Sequence, residues 1–479
     1  MHLSPFFLPE TRRATEESWN CSGDDRARVT AATASRPFKY SSVALRVSVP
    51  PWFKGSQARP QAASTNANLY NSRMNPRLGL LKPYPFERIR SNLAGLVPPT
   101  GLPLINLSIG EPQHPTPALL KDAVTKNLGG LARYPQSKGL PELREAMAAW
   151  IARRHGLGTL DPETQVIPVT GSREAIFSIA QAVLDPAEKD AYVVCPNPFY
   201  QIYEGATLLG GAQPWFVNSI ATQGQAADWD SVPEPVWKRT RLLFACSPNN
   251  PNGRVMTAAE WTKLFELSDR HGFVIVSDEC YSEIYFDESK PPVGALAVAK
   301  QLGREGYPRL VVMGSLSKRS NAPGLRSGFA AGDASILKDY LLYRTYHGTA
   351  MSNTVQSASV AAWCDEVHVL ENRRLYREKF AAFHDLVNPV LPLTMPDAAF
   401  YFWADVRGDD EAFARDLFTE AHIMVLPGSY LSRDAHGTNP GRGFVRIALV
   451  STVDDAVESG KRIAQFMRAR QPAAVATRG

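Results

Sequence analysis

Short apolar runs alternate with amphipathic stretches through the middle of the chain. Runs at 166–170, 191–195, 241–246, 273–277 and 310–313 have the length of buried strands. Between them lie stretches of helical period. Helices are expected at 116–128 and 140–154, from Ser172 onward and from about 258, with a helix or turn around Tyr200. This alternation predicts an α/β domain with a mainly parallel sheet flanked by helices. Sites in such sheets lie at the carboxyl ends of the strands. Ahead of this region, 83–90 reads as a turn entering a short helix and 105–110 as the end of a strand. Beyond about 335 one long helix is expected to run through 360. The segments 400–406, 423–427 and 444–450 then predict a smaller α+β unit.

Residues 1–73 break the pattern. They are rich in Ser, Ala, Thr, Arg and Pro and show no sustained period. Three readings compete: a disordered extension or mis-assigned start with the natural one at Met74, a transit peptide, and a small partner-binding domain. Glu10, Glu16, Glu17, Asp24 and Asp25 oppose a transit peptide, and no core supports a domain, so the first reading is preferred. The expected division is 1–73, then 74–120 as an N-terminal arm and part of a small domain. A large domain at 121–340 follows, then a connecting helix and the C-terminal small domain at 341–479.

Composition narrows the function. At 44% hydrophobic and 21% charged residues the chain is globular, with length for a large core. The formal charge of +5 resides wholly in 1–73, which hold ten Lys/Arg and five Asp/Glu; the remainder is balanced at 42 against 42. A balanced body carries no electrostatic footprint for nucleic acid. The five cysteines are scattered with no C-x-x-C pair, which predicts a reducing compartment and no zinc site. No run of 18 apolar residues predicts a membrane span.

The candidate chemistry centres on Lys318. Gly314, Ser315 and Ser317 crowd it directly after an apolar run. A desolvated lysine near other cations becomes a nucleophile able to condense with an aldehyde cofactor; the alternative is an ordinary loop lysine. Arg326, eight positions on, offers a planar fork for a phosphate, or caps a sheet edge. Ser315 adds a hydroxyl to the same phosphate or satisfies a backbone group. Asp278 ends the run 273–277; opposite a pyridine nitrogen it would keep that nitrogen protonated, or it caps the next helix. Tyr281 and Asn250 are placed to meet a ring oxygen, although Asn250 also fits a plain turn fixed by Pro248, Pro251 and Gly253. Gly171-Ser172-Arg173 opens a helix whose free amides suit phosphate. Tyr200 can stack on an aromatic ring or belong to the core. Arg446 is a charge inside an apolar strand, which needs a substrate carboxylate or a buried salt bridge.

In order along the chain, these motifs resemble the class I/II aminotransferases of pyridoxal-phosphate fold type I. The match begins with Asn106-Leu107-Ser108-Ile109-Gly110-Glu111-Pro112 and Tyr134, continues through Gly139-Leu140-Pro141-Glu142-Leu143-Arg144, and covers about 83–465. The resemblance implies a large domain with a mainly parallel sheet plus a smaller α+β domain, and pyridoxal 5'-phosphate as cofactor. It makes Lys318 the Schiff-base lysine, Asp278 the partner of the ring nitrogen, Asn250 and Tyr281 partners of the ring oxygen, and Tyr200 the stacking residue. Ser172, Ser315 and Arg326 would hold the phosphate. Tyr134 would reach the phosphate of a neighbouring subunit, which implies a homodimer. Gly110 and Arg446 would receive the substrate α-carboxylate, with glutamate and 2-oxoglutarate as one substrate pair.

A finer resemblance, carried by Met74-Asn75-Pro76-Arg77 and by Leu81-Lys82-Pro83-Tyr84-Pro85-Phe86-Glu87-Arg88, is to bacterial succinyldiaminopimelate aminotransferases of lysine biosynthesis, which implies the cytoplasm. Gln136-Ser137-Lys138-Gly139 and Asn252 depart from the commoner pattern, the first in a way that bears on substrate choice. Lys82, Arg88 and Lys138 are candidates for a substrate's additional carboxylates. The alternatives are aspartate, aromatic or kynurenine-type aminotransferases, a carbon–sulfur lyase or racemase, and an aminotransferase-like transcription regulator. The last needs a helix-turn-helix module, of which 1–73 show no sign.

Overall fold

Residues 74–470 are described by a computed structural model, and the expectations for 1–73 lie outside the described residues. Strand β1 (Ile105–Asn106) comes first. The next eight build one sheet: β2 (Val166–Val169), β3 (Tyr192–Asn197), β4 (Gln213–Ile220), β5 (Ala226–Ala227), β6 (Thr240–Cys246), β7 (Val274–Asp278), β8 (Leu310–Ser315) and β9 (Gly328–Gly332). Their order is β2-β9-β8-β7-β6-β3-β4-β5. Strands β8, β7, β6, β3 and β4 pair in parallel, while β9 and β5 run against their neighbours.

The apolar runs read from the sequence are these central strands, which are buried on both faces. Successive residues of β7 enter different cores, Ile275 on one side and Val276 on the other. Helices Pro141–His155, Ala258–His271 and Asn353–Cys364 cover the first face, and Ser172–Val183 and Ala334–His347 the second. Three strands of this sheet went unread. Strand β9 is built from Gly, Ala and one Phe, β4 is only half buried and β5 is two alanines long, so none shows a strong apolar signature.

The single long helix expected after 335 is instead three helices: Ala334–His347, Asn353–Cys364 and Val367–Val387. The chain leaves the first through Gly348 in the left-handed region, and Ser352 caps the second by accepting a hydrogen bond from the Val355 amide.

A second core forms around β10 (Tyr401–Asp405), β11 (Ile423–Met424), β12 (Leu426–Pro427) and β13 (Phe444–Ala448). Strands β10, β13 and β12 make an antiparallel sheet in that order, while β11 pairs in parallel with β1. Helices Val367–Val387 and Val453–Arg470 lay Phe380, Phe383 and Ile463 against it.

Between β3 and β6 the chain reverses its direction of travel across the large sheet: β4 continues outward on one side, β7 and β8 on the other. A crevice opens at the carboxyl ends of strands around such a switch point. Its rim is braced from behind. The fully buried Arg344 donates from Nη1 to both carboxylate oxygens of Glu174, at 2.7 and 2.9 Å. Glu174 Oε2 also accepts from the Thr170 amide and hydroxyl, tying down the turn after β2. Removing one partner of a buried pair leaves an uncompensated charge. Arg344→Ala is expected to lose about 3 kcal/mol of stability, read as a lower thermal midpoint, whereas the exposed Lys338→Ala on the same helix stays within about 0.5 kcal/mol.

Candidate active site

Each strand of the crevice delivers one functional group. Strand β7 ends at Asp278, which is buried. Its Oδ2 accepts from the Tyr203 hydroxyl at 2.9 Å, and its Oδ1 accepts from the Cys280 thiol at 2.7 Å. Burial still raises its pKa against these donors. Strand β8 ends at Ser315 and runs into the single helical turn Leu316–Arg319, which carries Lys318. The Lys318 ammonium donates to the Gly110 carbonyl at 2.6 Å and lies 5.2 Å from the centre of the Phe400 ring. Burial lowers its pKa to about 8; the Arg446 and Arg173 guanidiniums push the same way, and Cys280 and Glu111 oppose them.

After β6, Asn250 accepts from Arg446 Nη1 through Oδ1 at 2.9 Å. Arg446 projects from β13, stacks 4.4 Å from the centre of the Tyr401 ring and donates to the Ser108 carbonyl at 2.7 Å. Among the described residues no carboxylate pairs with it, and its Nε has no partner. That outcome removes the buried-salt-bridge alternative. Tyr281 shares a 2.9 Å hydrogen bond with the Tyr401 hydroxyl. After β3, Tyr200 accepts from Arg173 Nε at 2.6 Å.

Between β2 and the helix Ser172–Val183 stands Gly171 at φ +89°, where a Cβ would run into the Arg326 guanidinium. Arg326 itself is left-handed at φ 55° and donates to the Thr170 carbonyl at 3.1 Å, laying its fork across the turn. Ser172 Oγ lies 2.9 Å from Cys280 Sγ. The Ser315 hydroxyl is buried and has no hydrogen-bond partner.

One cleft of about 560 Å³ thus gathers Gly110, Ser172, Tyr200, Asn250, Asp278, Tyr281, Ser315, Lys318, Arg326 and Arg446. Tyr134 is not among them and is fully exposed. Lys138 is paired with Glu163 at 2.7 Å and does not line the cleft. Lys82 and Arg88 line a neighbouring groove instead, and Arg88 stacks 3.8 Å from the centre of the Tyr430 ring. Sequence reasoning missed Tyr203, Cys280 and Tyr401, and gave Arg173 no role of its own. Tyr203 had a signal, since it follows Tyr200 by three residues across the entry to a helix. Tyr401 had none, because only the pairing of β10 with β13 brings it beside Arg446.

The fold and this cleft define a transferase class, and comparison with known proteins agrees. The chain belongs to the family described as aminotransferase class I and II, whose sequence pattern matches residues 103–459. It is 32% identical over 394 residues to an LL-diaminopimelate aminotransferase of Desulforudis audaxviator, covering 81% of this chain and 96% of that protein. An aminotransferase structure from Neisseria meningitidis is 53% identical, with a TM-score of 0.80, covering 82% of this chain and all of that one. A probable N-succinyldiaminopimelate aminotransferase from Thermus thermophilus is 27% identical, with a TM-score of 0.69, covering 80% of this chain and 98% of that one. The protein is therefore a fold-type I transaminase that depends on pyridoxal 5'-phosphate. The residues present fit that group. A buried unpartnered hydroxyl and a guanidinium laid on a glycine turn suit a phosphate, and a buried carboxylate and a lysine of lowered pKa share the cleft with them.

The shift at Lys318 has a definite sign. Between pH 8 and about 10.4 the unfolded chain holds this proton and the folded one does not, so its contribution to stability rises with pH across that window. In cofactor-free protein, competitive acylation read by mass spectrometry is expected to label Lys318 with a midpoint near 8. A midpoint at the ordinary lysine value would contradict the electrostatics described.

Proposed function

We propose that this transaminase moves an amino group between glutamate and the keto form of N-succinyl-LL-2,6-diaminopimelate, in the cytoplasm and as a homodimer. The observation that carries the catalytic reading is the convergence of Lys318, Asp278 and Arg446 on one cleft. Bound there, pyridoxal phosphate supplies an aromatic ring able to accept the electron pair released at the substrate α-carbon. Lys318 is the residue that would hold the cofactor through its aldehyde carbon, and its Nζ would serve as the base for the α-proton; a pKa near 8 suits a base working near neutrality. Asp278, whose Tyr203 and Cys280 donors stabilise its charged form, holds a proton on the ring nitrogen. Asn250 lends Oδ1 to Arg446, which leaves its Nδ2 free to donate, and with Tyr281 it would hold the ring oxygen. Tyr200 would supply the aromatic face beside the ring. Ser172, Ser315 and Arg326 hold the phosphate, and the exposed Tyr134 reaches the phosphate of a second subunit. Arg446 and the Gly110 backbone receive the substrate α-carboxylate.

The N-succinyl substrate is supported by the likeness of 74–117 to such enzymes and by the Thermus structure. A second reading, LL-diaminopimelate itself, is supported by the Desulforudis relative. Glu111 also favours it: this cleft carboxylate makes no hydrogen bond or ion pair with the described residues and would suit a distal ammonium.

Steady-state assays of the holoenzyme separate the two. The highest kcat/KM is expected with N-succinyl-LL-diaminopimelate, with ping-pong kinetics against 2-oxoglutarate. A higher value for LL-diaminopimelate selects the second reading, and transfer from aromatic donors alone rejects both. Lys318→Ala is expected to lower kcat by about 10⁴-fold and to abolish the borohydride-trapped adduct that wild type gives at this position.

A further inference from the structure

The helix Val367–Val387 buries Val369, Tyr376, Phe380, Phe383 and Val387 at the spacing of one helical face. Asn372 interrupts this apolar stripe and is only 2% exposed. Asparagine is a poor residue for a helix interior, and its amide is costly to bury unless each polar group finds a partner. Here all four are answered. Nδ2 donates to the carbonyls of Lys318 and Arg319, at 3.2 and 3.4 Å. Oδ1 accepts from Asn321 Nδ2 at 2.8 Å and meets His114 Nδ1 at 3.0 Å. The two carbonyls close the single turn Leu316–Arg319, where a helix leaves such groups without internal partners. They can only accept, so the amide nitrogen must face them and Oδ1 must face His114, which therefore carries its hydrogen on Nδ1. Burial, helped by Lys379 and opposed by the Asn372 bond and Glu371, lowers the His114 pKa to about 4, so the ring is neutral near pH 7.

His114 stands four residues after Gly110, whose carbonyl accepts from Lys318 Nζ at 2.6 Å. The hydrogen bonds thus close a ring: from Lys318 Nζ to Gly110, along the backbone to His114, across to Asn372, and back to the Lys318 carbonyl. The lysine is held at both ends, and its two holders are joined to each other. We propose that Asn372 is the positioning residue of Lys318: with His114 it fixes the lysine's main chain, so that only the side chain moves when the amine leaves the Gly110 carbonyl to work. This inference rests on the role given to Lys318 in the function proposed above. A side chain that swings from a fixed Cα returns to one place, and misplacement by about 1 Å is enough to cost a large factor in rate. The competing role for Asn372 is a structural cap on the turn and nothing more.

Two variants separate these roles. Asn372→Leu leaves the stripe apolar and removes all four hydrogen bonds. His114→Phe keeps a ring beside Tyr376, where the centroids lie 4.9 Å apart, and removes only the bond from Nδ1. In cofactor-free protein, Asn372→Leu is expected to move the acylation midpoint of Lys318 up by about one pH unit, because a released turn lets the amine reach water. His114→Phe should move it the same way by less. In the holoenzyme, Asn372→Leu should lower kcat with glutamate by about 30-fold and leave KM within about twofold. The isotope effect on kcat from α-deuterated glutamate should rise in both variants, as transfer of the α-proton becomes the slow step. A lowered thermal midpoint with the Lys318 midpoint and the isotope effect both at wild-type values overturns the proposal and leaves Asn372 a structural cap. Should Asn372→Leu fail to fold, His114→Phe decides alone, and the same two unmoved readings overturn it. Absence of a borohydride-trapped adduct at Lys318 in wild type would remove the function proposed above, while the midpoint in cofactor-free protein would still decide the part played by Asn372.

Discussion

Four cationic groups meet in one cleft with two carboxylates to answer them, Asp278 and Glu111. This imbalance is the constraint on which the site depends. Asp278 is buried and held by two donors, so it cannot move to neutralise Arg446 or Arg326. The guanidiniums instead stack on rings or rest on backbone carbonyls, which position them without cancelling their charge. Lys318, in the same cleft, is shifted chiefly by its own burial, with Arg446 and Arg173 adding to the shift and Cys280 and Glu111 opposing it. At pH 7 a pKa near 8 leaves about one amine in ten unprotonated, against roughly one in 2,500 at the ordinary value. Burial thus prepares the base while the uncancelled guanidiniums suit a phosphate and carboxylates, and one cleft is built for both tasks.

Topology explains how residues so far apart in the chain come to share this field. Asn250, Asp278 and Ser315 each follow or end a parallel strand, on the same edge of the sheet and near the point where strand order reverses. The second core supplies what the sheet cannot. Arg446 comes from β13 and Gly110 from the segment after β1, so the smaller unit brings a guanidinium and a backbone carbonyl to a cleft whose Asp278, Ser315 and Lys318 come from the larger sheet.

Much of this was legible because parallel strands buried on both faces read as unbroken apolar runs, and because functional residues sit directly after such runs. Asp278, Asn250, Ser315 and Lys318 were singled out by that rule, and all four line the one cleft. The parts that escaped share a physical reason. Strand β9 is made of small residues, and β4 is only half covered, so hydrophobicity does not mark them. Tyr401 is one more aromatic in an apolar strand until β10 pairs with β13. Lys138 looked available because its partner Glu163 lies 25 residues away across a helix, a separation at which sequence spacing says nothing about contact. The break between Ala334–His347 and Asn353–Cys364 rests on cap geometry, to which helical periodicity is blind.

Two glycines show how tightly local backbone and site chemistry are joined. At Gly171 the missing Cβ lets the Arg326 guanidinium lie on the turn that opens the helix Ser172–Val183. At Gly110 a Cβ would run into the Tyr401 hydroxyl, so its absence lets the backbone approach closely enough for the carbonyl to meet Lys318. In both cases a side chain is given up so that a charge can rest against the main chain. A charge held by backbone dipoles stays in place without being neutralised, whereas one held by a carboxylate would be answered before any ligand arrived. The glycines therefore help to preserve uncompensated positive charge in the cleft where burial lowers the Lys318 pKa, and that charge suits the cleft to anions.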